Sequence, residues 1–176
     1  GNHLLQLKRL CKLKEIVSIN MDPIAMQKIK KKGIKAFLGR AESLRDISDI
    51  DSDVLLSFEM VEYLHDPTKF FLEINKINFK YFIMTVPYVK ESRVELKYIR
   101  NRVANKPVNS EGVHIFELSP YDWELLGAHA GLKAVSREIY YQYPKYFGPL
   151  TYFFKNLWKK IDFEGFVAIC FIKDNT

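Results

Sequence analysis

Two cysteines in 176 residues leave no basis for a disulfide framework. Cys11 lies in an apolar stretch with helical spacing and Cys170 in an apolar stretch of strand length, so reduced core thiols are expected and no metal site. Also missing is any apolar run close to the roughly 18 residues that span a bilayer. The longest candidates, such as FVAICFI at 166–172, are strand-length. The opening GNHLLQLKRLCKLKE alternates Leu with Lys and Arg. It lacks the unbroken apolar core and small-residue cleavage site of a signal peptide. The expectation is a cytoplasmic protein that does not engage a membrane. Internal repeats and low-complexity linkers are absent as well.

What is present suits one ordinary domain over 1–176, since 48% of the residues are hydrophobic and 14% aromatic. The formal charge of +6 raises the question of an anionic partner, and KIKKKGIK at 28–35 is the densest basic run. Those lysines fit the solvent face and C-terminal end of a helix, where cations complement the dipole. A nucleic-acid-binding protein would use this charge with Tyr and Phe as stacking residues, but no recognised binding motif accompanies it. Nucleic acid is therefore not the expected partner.

Periodicity predicts helices over 2–12, 23–32, 66–76, 91–102, 119–130 and 148–160, and strands over 15–20, 34–38, 53–58, 79–86, 132–141 and 164–172. This alternation implies an α/β fold with a mostly parallel sheet covered on both faces. Pro23 fits an early helix position, Gly33 a C-terminal cap and SPYDW at 119–123 a capped helix start. ANKPVNSEG at 104–112 reads as a mobile loop placed to cover a substrate.

Ligands of open α/β sheets bind beyond the carboxyl ends of the strands. The strand tips here carry Asn20 and Met21; Gly39, Arg40, Ala41 and Glu42; Ser57, Phe58 and Glu59; and Pro87 with Tyr88. Turns are polar in any protein, so each tip alone says little, and Phe58 suits core packing as well as a ligand. The stretch EIVSINMDP is the most pointed of them. A nucleoside-binding strand usually ends in a carboxylate that accepts from both ribose hydroxyls, and here the tip is Asn20.

Taken in order, VSINMDPIAM, GRAESL, DSDVLLSFEMVEYLHDPTKFFLEI, YFIMTVPYV and HIFELSPYDWELLGAHAGLKAV resemble successive segments of the class I S-adenosylmethionine-dependent methyltransferases, especially the small-molecule and quinone-type group. The resemblance covers nearly the whole chain. It implies a Rossmann-like sheet with an antiparallel strand near 164–172, S-adenosylmethionine as cofactor and a small-molecule acceptor, with a homodimer compatible. It places Asn20 and Met21 beside the ribose and adenine, Arg40, Ala41 and Glu42 at the adenine edge, and Ser57, Phe58 and Glu59 under the methionine part.

The implied reaction is an in-line displacement on an already activated methyl group, so alignment and exclusion of water matter most. If the acceptor is a hydroxyl, His114 is the candidate proton acceptor, against the plainer reading of a packing or capping histidine. Tyr63, where many relatives carry histidine, and His65 are further candidates to face the acceptor. The family's first strand and glycine-rich turn have no counterpart, and continuation of the natural protein upstream of Gly1 is the expectation. Two functions follow: an active methyltransferase, or a methyltransferase-like domain that only binds or scaffolds.

Overall fold

Strand and helix alternate along the chain as their periodicities require. The computed structural model describes residues 2–44, 51–95, 114–141 and 165–174. The chain divides into two compact units, Gly1–Asp49 and Ile50–Thr176.

The first unit contains α1 (Asn2–Cys11), β1 (Val17–Asn20), α2 (Pro23–Lys31) and β2 (Lys35–Leu38). β1 and β2 pair in parallel with Asn20 opposite Leu38. Ile29, Ile34 and Ala36 form a small core, packed by Leu4, Leu5, Ile16 and Met26. Asp22 caps α2 by accepting from the Ile24 N–H at 2.8 Å, with Pro23 in the first turn where its missing N–H costs nothing. Gly33 closes the helix at φ +72°, a left-handed conformation that favours glycine. Lys28, Lys30, Lys31 and Lys32 are all exposed, so the basic run is a solvated face. Cys11 is also exposed and free, which corrects its expected place in the core: the apolar side of α1 is carried by Leu4 and Leu5. Cys170 is half-buried and free.

The second unit runs β3 (Ser52–Phe58), a 3-10 turn (Val61–Tyr63), α3 (Pro67–Lys76), β4 (Phe79–Tyr88), β5 (Arg93–Val94), β6 (Phe116–Glu117), α4 (Pro120–His129), β7 (Leu132–Tyr141) and β8 (Gly165–Lys173). Its main sheet has the order β3-β4-β8-β7. β3 and β4 are parallel, and β8 lies antiparallel to both β4 and β7. Three strands therefore share one direction and β8 alone is reversed, as the mostly parallel reading with an antiparallel strand at 164–172 required. Among the described residues β1 bonds only β2, and β3 only β4.

The core of this unit follows from period-two alternation on the central strands. Phe82, Met84 and Val86 of β4 and Val167, Ile169 and Phe171 of β8 are fully buried. They meet Phe70 and Phe71 of α3 and Trp123 of α4 in an aromatic cluster, with Phe71 placed 5.8 to 6.4 Å from the rings of Phe70, Phe82, Trp123 and Phe171. On β3, alternate residues Val54, Leu56 and Phe58 remain exposed, beside Tyr81 of β4. Full cover of both sheet faces is thus not seen at these positions.

Gly127 of α4 sits directly over this cluster. A Cβ there would lie 2.5 Å from Cε1 of Phe171, whose ring is fully buried and cannot withdraw. Gly127→Ala gains roughly 1 kcal/mol of helix propensity but incurs about 1 to 3 kcal/mol of overpacking. A net loss of stability is expected, read as a lowered urea midpoint. An unchanged or raised midpoint would show that the cluster can reshape.

The expected helix over 91–102 is corrected where it is described. Arg93 and Val94 instead pair antiparallel with Glu117 and Phe116, and the Glu95 N–H donates to the Ile115 carbonyl at 2.9 Å. Local spacing suggested a helix, but a partner strand distant in sequence captures the backbone. The rest of that helix, the helix at 148–160 and the loop at 104–112 lie outside the described residues.

Candidate functional site

In the first unit, the tips of β1 and β2 come together. The Gly39 N–H donates to the Asn20 carbonyl at 3.1 Å, so Asn20 and Met21 share an edge with the turn Arg40–Ser43. The Asn20 side chain has a local partner: its Oδ1 accepts from the Asp22 N–H at 2.8 Å, as Asn does at many turns. Met21 is 64% exposed, a large apolar surface for a turn. Arg40 and Glu42 pair at 3.7 Å, with Ala41 half-buried between them.

In the second unit, Ser57, Phe58 and Glu59 form the tip of β3. The Ser57 side chain is buried, and its Oγ has no hydrogen-bond partner among the described residues. Phe58 is 43% exposed, which sets it outside the core. Glu59 takes φ +48°, the left-handed region that costs a side-chain-bearing residue roughly 1 to 2 kcal/mol, while its N–H donates to the Thr85 carbonyl at 2.9 Å. Strain at a strand tip of this kind is stored where the surrounding structure over-determines the backbone.

The turn after β3 holds Glu62 and Tyr63 against the segment that begins at His114. The Ile115 N–H donates to the Glu62 carbonyl at 2.9 Å, which fixes the two segments side by side. Tyr63 Oη lies 3.1 Å from His114 Nε2, and their rings meet edge to face. His114 Nδ1 lies 2.7 Å from Glu117 Oε1. Arg93 Nε binds the other oxygen of Glu117. Burial pushes the Glu117 carboxyl up, but hydrogen bonds from Arg93 and His114 outweigh this and hold it below the ordinary carboxylate range. Glu117 is therefore an anion, and His114 stands between it and a phenol.

Sequence reasoning named Tyr63 and His114 separately, and the structure joins them. Glu117 and Arg93 were missed because their partnership depends on the β5–β6 pairing, which no local pattern announced. Glu62 was also missed. It is 1% exposed, and neither carboxyl oxygen has a hydrogen-bond partner among the described residues. Burial raises its pKa to about 7, with Glu59 and Glu117 adding to the shift and its own backbone and His114 opposing it. His65 is half-buried, and its Nδ1 has no partner among the described residues. No group of His, Cys, Asp and Glu among the described residues is arranged to hold a metal ion, and none of the described helices is long and apolar enough to cross a membrane.

Comparison with known proteins agrees with this architecture. Residues 1–78 match the family model described as a methyltransferase domain. No curated protein matches the sequence. Among solved structures, a Haloferax volcanii protein assigned as a methyltransferase, in complex with the Trm112 methyltransferase activator, superposes with a TM-score of 0.70 at 16% identity, over 98% of this chain and 78% of that one. A Galdieria sulphuraria protein assigned as a sarcosine dimethylglycine methyltransferase gives 0.65 at 14% identity, over 100% of this chain and 75% of that one. An O-methyltransferase from a trans-AT PKS multienzyme of Brevibacillus brevis, in complex with S-adenosyl-L-homocysteine, gives 0.62 at 12% identity, over 98% and 63%. The resemblance read from the ordered segments is borne out in the fold: the chain has the class I S-adenosylmethionine-dependent methyltransferase fold, and its first 78 residues match a methyltransferase domain.

Proposed function

We propose that the protein is an S-adenosylmethionine-dependent methyltransferase acting on a small-molecule acceptor. The observation that carries this reading is the match of residues 1–78 to a methyltransferase domain, with the β1 and β2 tips inside the matched segment. The residues present suit the cofactor. Asn20 retains an amide N–H pair for a ribose oxygen while its Oδ1 serves the turn, and exposed Met21 offers apolar cover for a purine. The orphaned Ser57 Oγ and exposed Phe58 supply a polar and an apolar contact of the kind the methionine part needs. When bound, the cofactor supplies an electrophilic methyl group on a sulfonium. Arg40, Ala41 and Glu42 border the adenine edge in this reading, Glu59 joins Ser57 and Phe58, and His114 with Tyr63 serves the acceptor.

A methyltransferase-like domain that binds without catalysis is the second reading. It is favoured by the Asn20 side chain, whose acceptor oxygen is already engaged by the Asp22 N–H. Asn20→Asp separates the two. A carboxylate can keep the turn bond and still accept from the ribose at an exposed tip, where desolvation is modest. S-adenosylmethionine should bind about fivefold more tightly, roughly the 1 kcal/mol that a charge-assisted bond adds over a neutral one. Calorimetric titration of both proteins is the check. Unchanged or weaker binding by a folded variant would remove Asn20 from the ribose site and favour the non-catalytic domain.

A further inference from the structure

The chain Arg93–Glu117–His114–Tyr63 has a direction. A carboxylate only accepts, so the Glu117 oxygen 2.7 Å from His114 Nδ1 requires the proton to sit on that nitrogen. In the neutral ring Nε2 is then the acceptor, and the Tyr63 hydroxyl 3.1 Å away donates to it. Arg93 holds the second Glu117 oxygen and prevents the carboxylate from rotating off the ring. Each member comes from a different element: Tyr63 from the turn after β3, Arg93 from β5, Glu117 from β6, and His114 from the segment leading into β6. About 31% of the His114 side chain is exposed, so the arrangement opens toward solvent rather than filling a core. A structural tie would need one of these bonds; here Tyr63 and His114 make a path for a proton, and Glu117 and Arg93 fix its direction.

We infer that Tyr63 and His114, oriented by Glu117, form a proton relay for an acceptor hydroxyl of phenol or enol character, so that the protein is an O-methyltransferase. This rests on the methyltransferase reading above. In the step inferred, the acceptor O–H gives its proton to the Tyr63 oxygen as the Tyr63 proton passes to His114 Nε2. The acceptor oxygen forms the C–O bond to the methyl carbon as the C–S bond breaks, and a neutral thioether leaves. The positive charge lost from sulfur reappears as imidazolium paired with Glu117, and solvent later takes that proton. An amine acceptor does not need this path, because its lone pair attacks without prior loss of a proton. Glu117 and Arg93 act as positioning residues.

Two measurements on the full chain test the inference. Nitrogen-15 spectra of the free protein at pH 8 should show His114 protonated at Nδ1 and bare at Nε2, and Glu117→Gln should give a mixture of tautomers. Protonation at Nε2 in the wild type would overturn the relay. With S-adenosylmethionine and a series of phenols of graded acidity, His114→Gln should lower kcat about 100-fold or more for weakly acidic phenols, leave KM little changed, and lose most of this effect for nitrophenols that ionise unaided. An equal loss across the series, transfer to amines alone, or no transfer to any phenol while calorimetry shows the cofactor bound would each overturn it. Failure of the cofactor to bind would instead defeat the methyltransferase reading and carry this one with it.

Discussion

Phe71→Ala should destabilise the protein by about 3 to 5 kcal/mol, a large part of the 5 to 15 kcal/mol that holds a typical domain together. Phe71 is fully buried and lies against Phe70, Phe82, Trp123 and Phe171, so it joins α3 to α4 and to both central strands. Truncation removes the transfer free energy of the ring and leaves a void that rigid aromatic neighbours cannot close. The edge-to-face contacts add to the loss, since each such pair contributes roughly 0.5 to 1.5 kcal/mol beyond burial. Urea denaturation followed by circular dichroism measures the loss. Tyr121→Ala provides the contrast, because Tyr121 is 70% exposed on the same helix as Trp123 and should change stability by no more than about 0.5 kcal/mol. A loss below 1 kcal/mol for Phe71→Ala would mean that the core is looser than its packing implies.

The second large effect is tied to pH. Glu62 is buried without a hydrogen-bond partner among the described residues, and its pKa stands at about 7 against an ordinary 4.5. Between those values the unfolded chain has released the proton and the folded chain retains it, so folding takes up a proton. Stability contributed by this group is intact below about pH 4.5 and falls as pH rises, until about 7. Glu117 and Asp122 have lowered values and oppose the trend, gaining stability as pH rises. Comparison with Glu62→Gln isolates the one group. Between pH 4.5 and 8 the variant should gain on the order of 3 kcal/mol relative to wild type, the free energy of a shift of this size. Parallel stability curves for the two proteins would show that Glu62 ionises freely in the fold, and that its carboxylate has a partner in solution.

The Glu62 result bears on the site as well as on stability. Glu62 precedes Tyr63 in the turn after β3, and its carbonyl anchors Ile115 next to His114. Below about pH 7 the neutral carboxyl there spares the Glu117–His114 pair a second nearby anion.

How much of this was legible in the sequence differs by element. β1, α2, β2, α3, β4, α4, β7 and β8 fall within one or two residues of their periodic signals, because each has a cap or an alternation that states its own type. Asp22 before Pro23 and Ser119 before Pro120 mark helix starts by chemistry confined to four residues. The ESRVELKYIR stretch failed where it is described, since Arg93 and Val94 obey a strand more than twenty residues away. Cys11 failed for a related reason: helical spacing shows that α1 has an apolar face but not how far along the helix that face is used.

The sequence by itself determined the order of most elements and the residue types at the strand tips, set by local propensity and short-range periodicity, while the reversal of the strand at 165–173 was implied only by the family resemblance. It could nominate Tyr63 and His114, since a phenol and an imidazole can move protons. Only the tertiary structure decided that the two touch, that Glu117 and Arg93 stand behind them, and that Glu62 is sealed from water. Proton transfer and desolvation depend on distances of about 3 Å and on the exclusion of solvent, and both arise only when segments fifty residues apart are packed together.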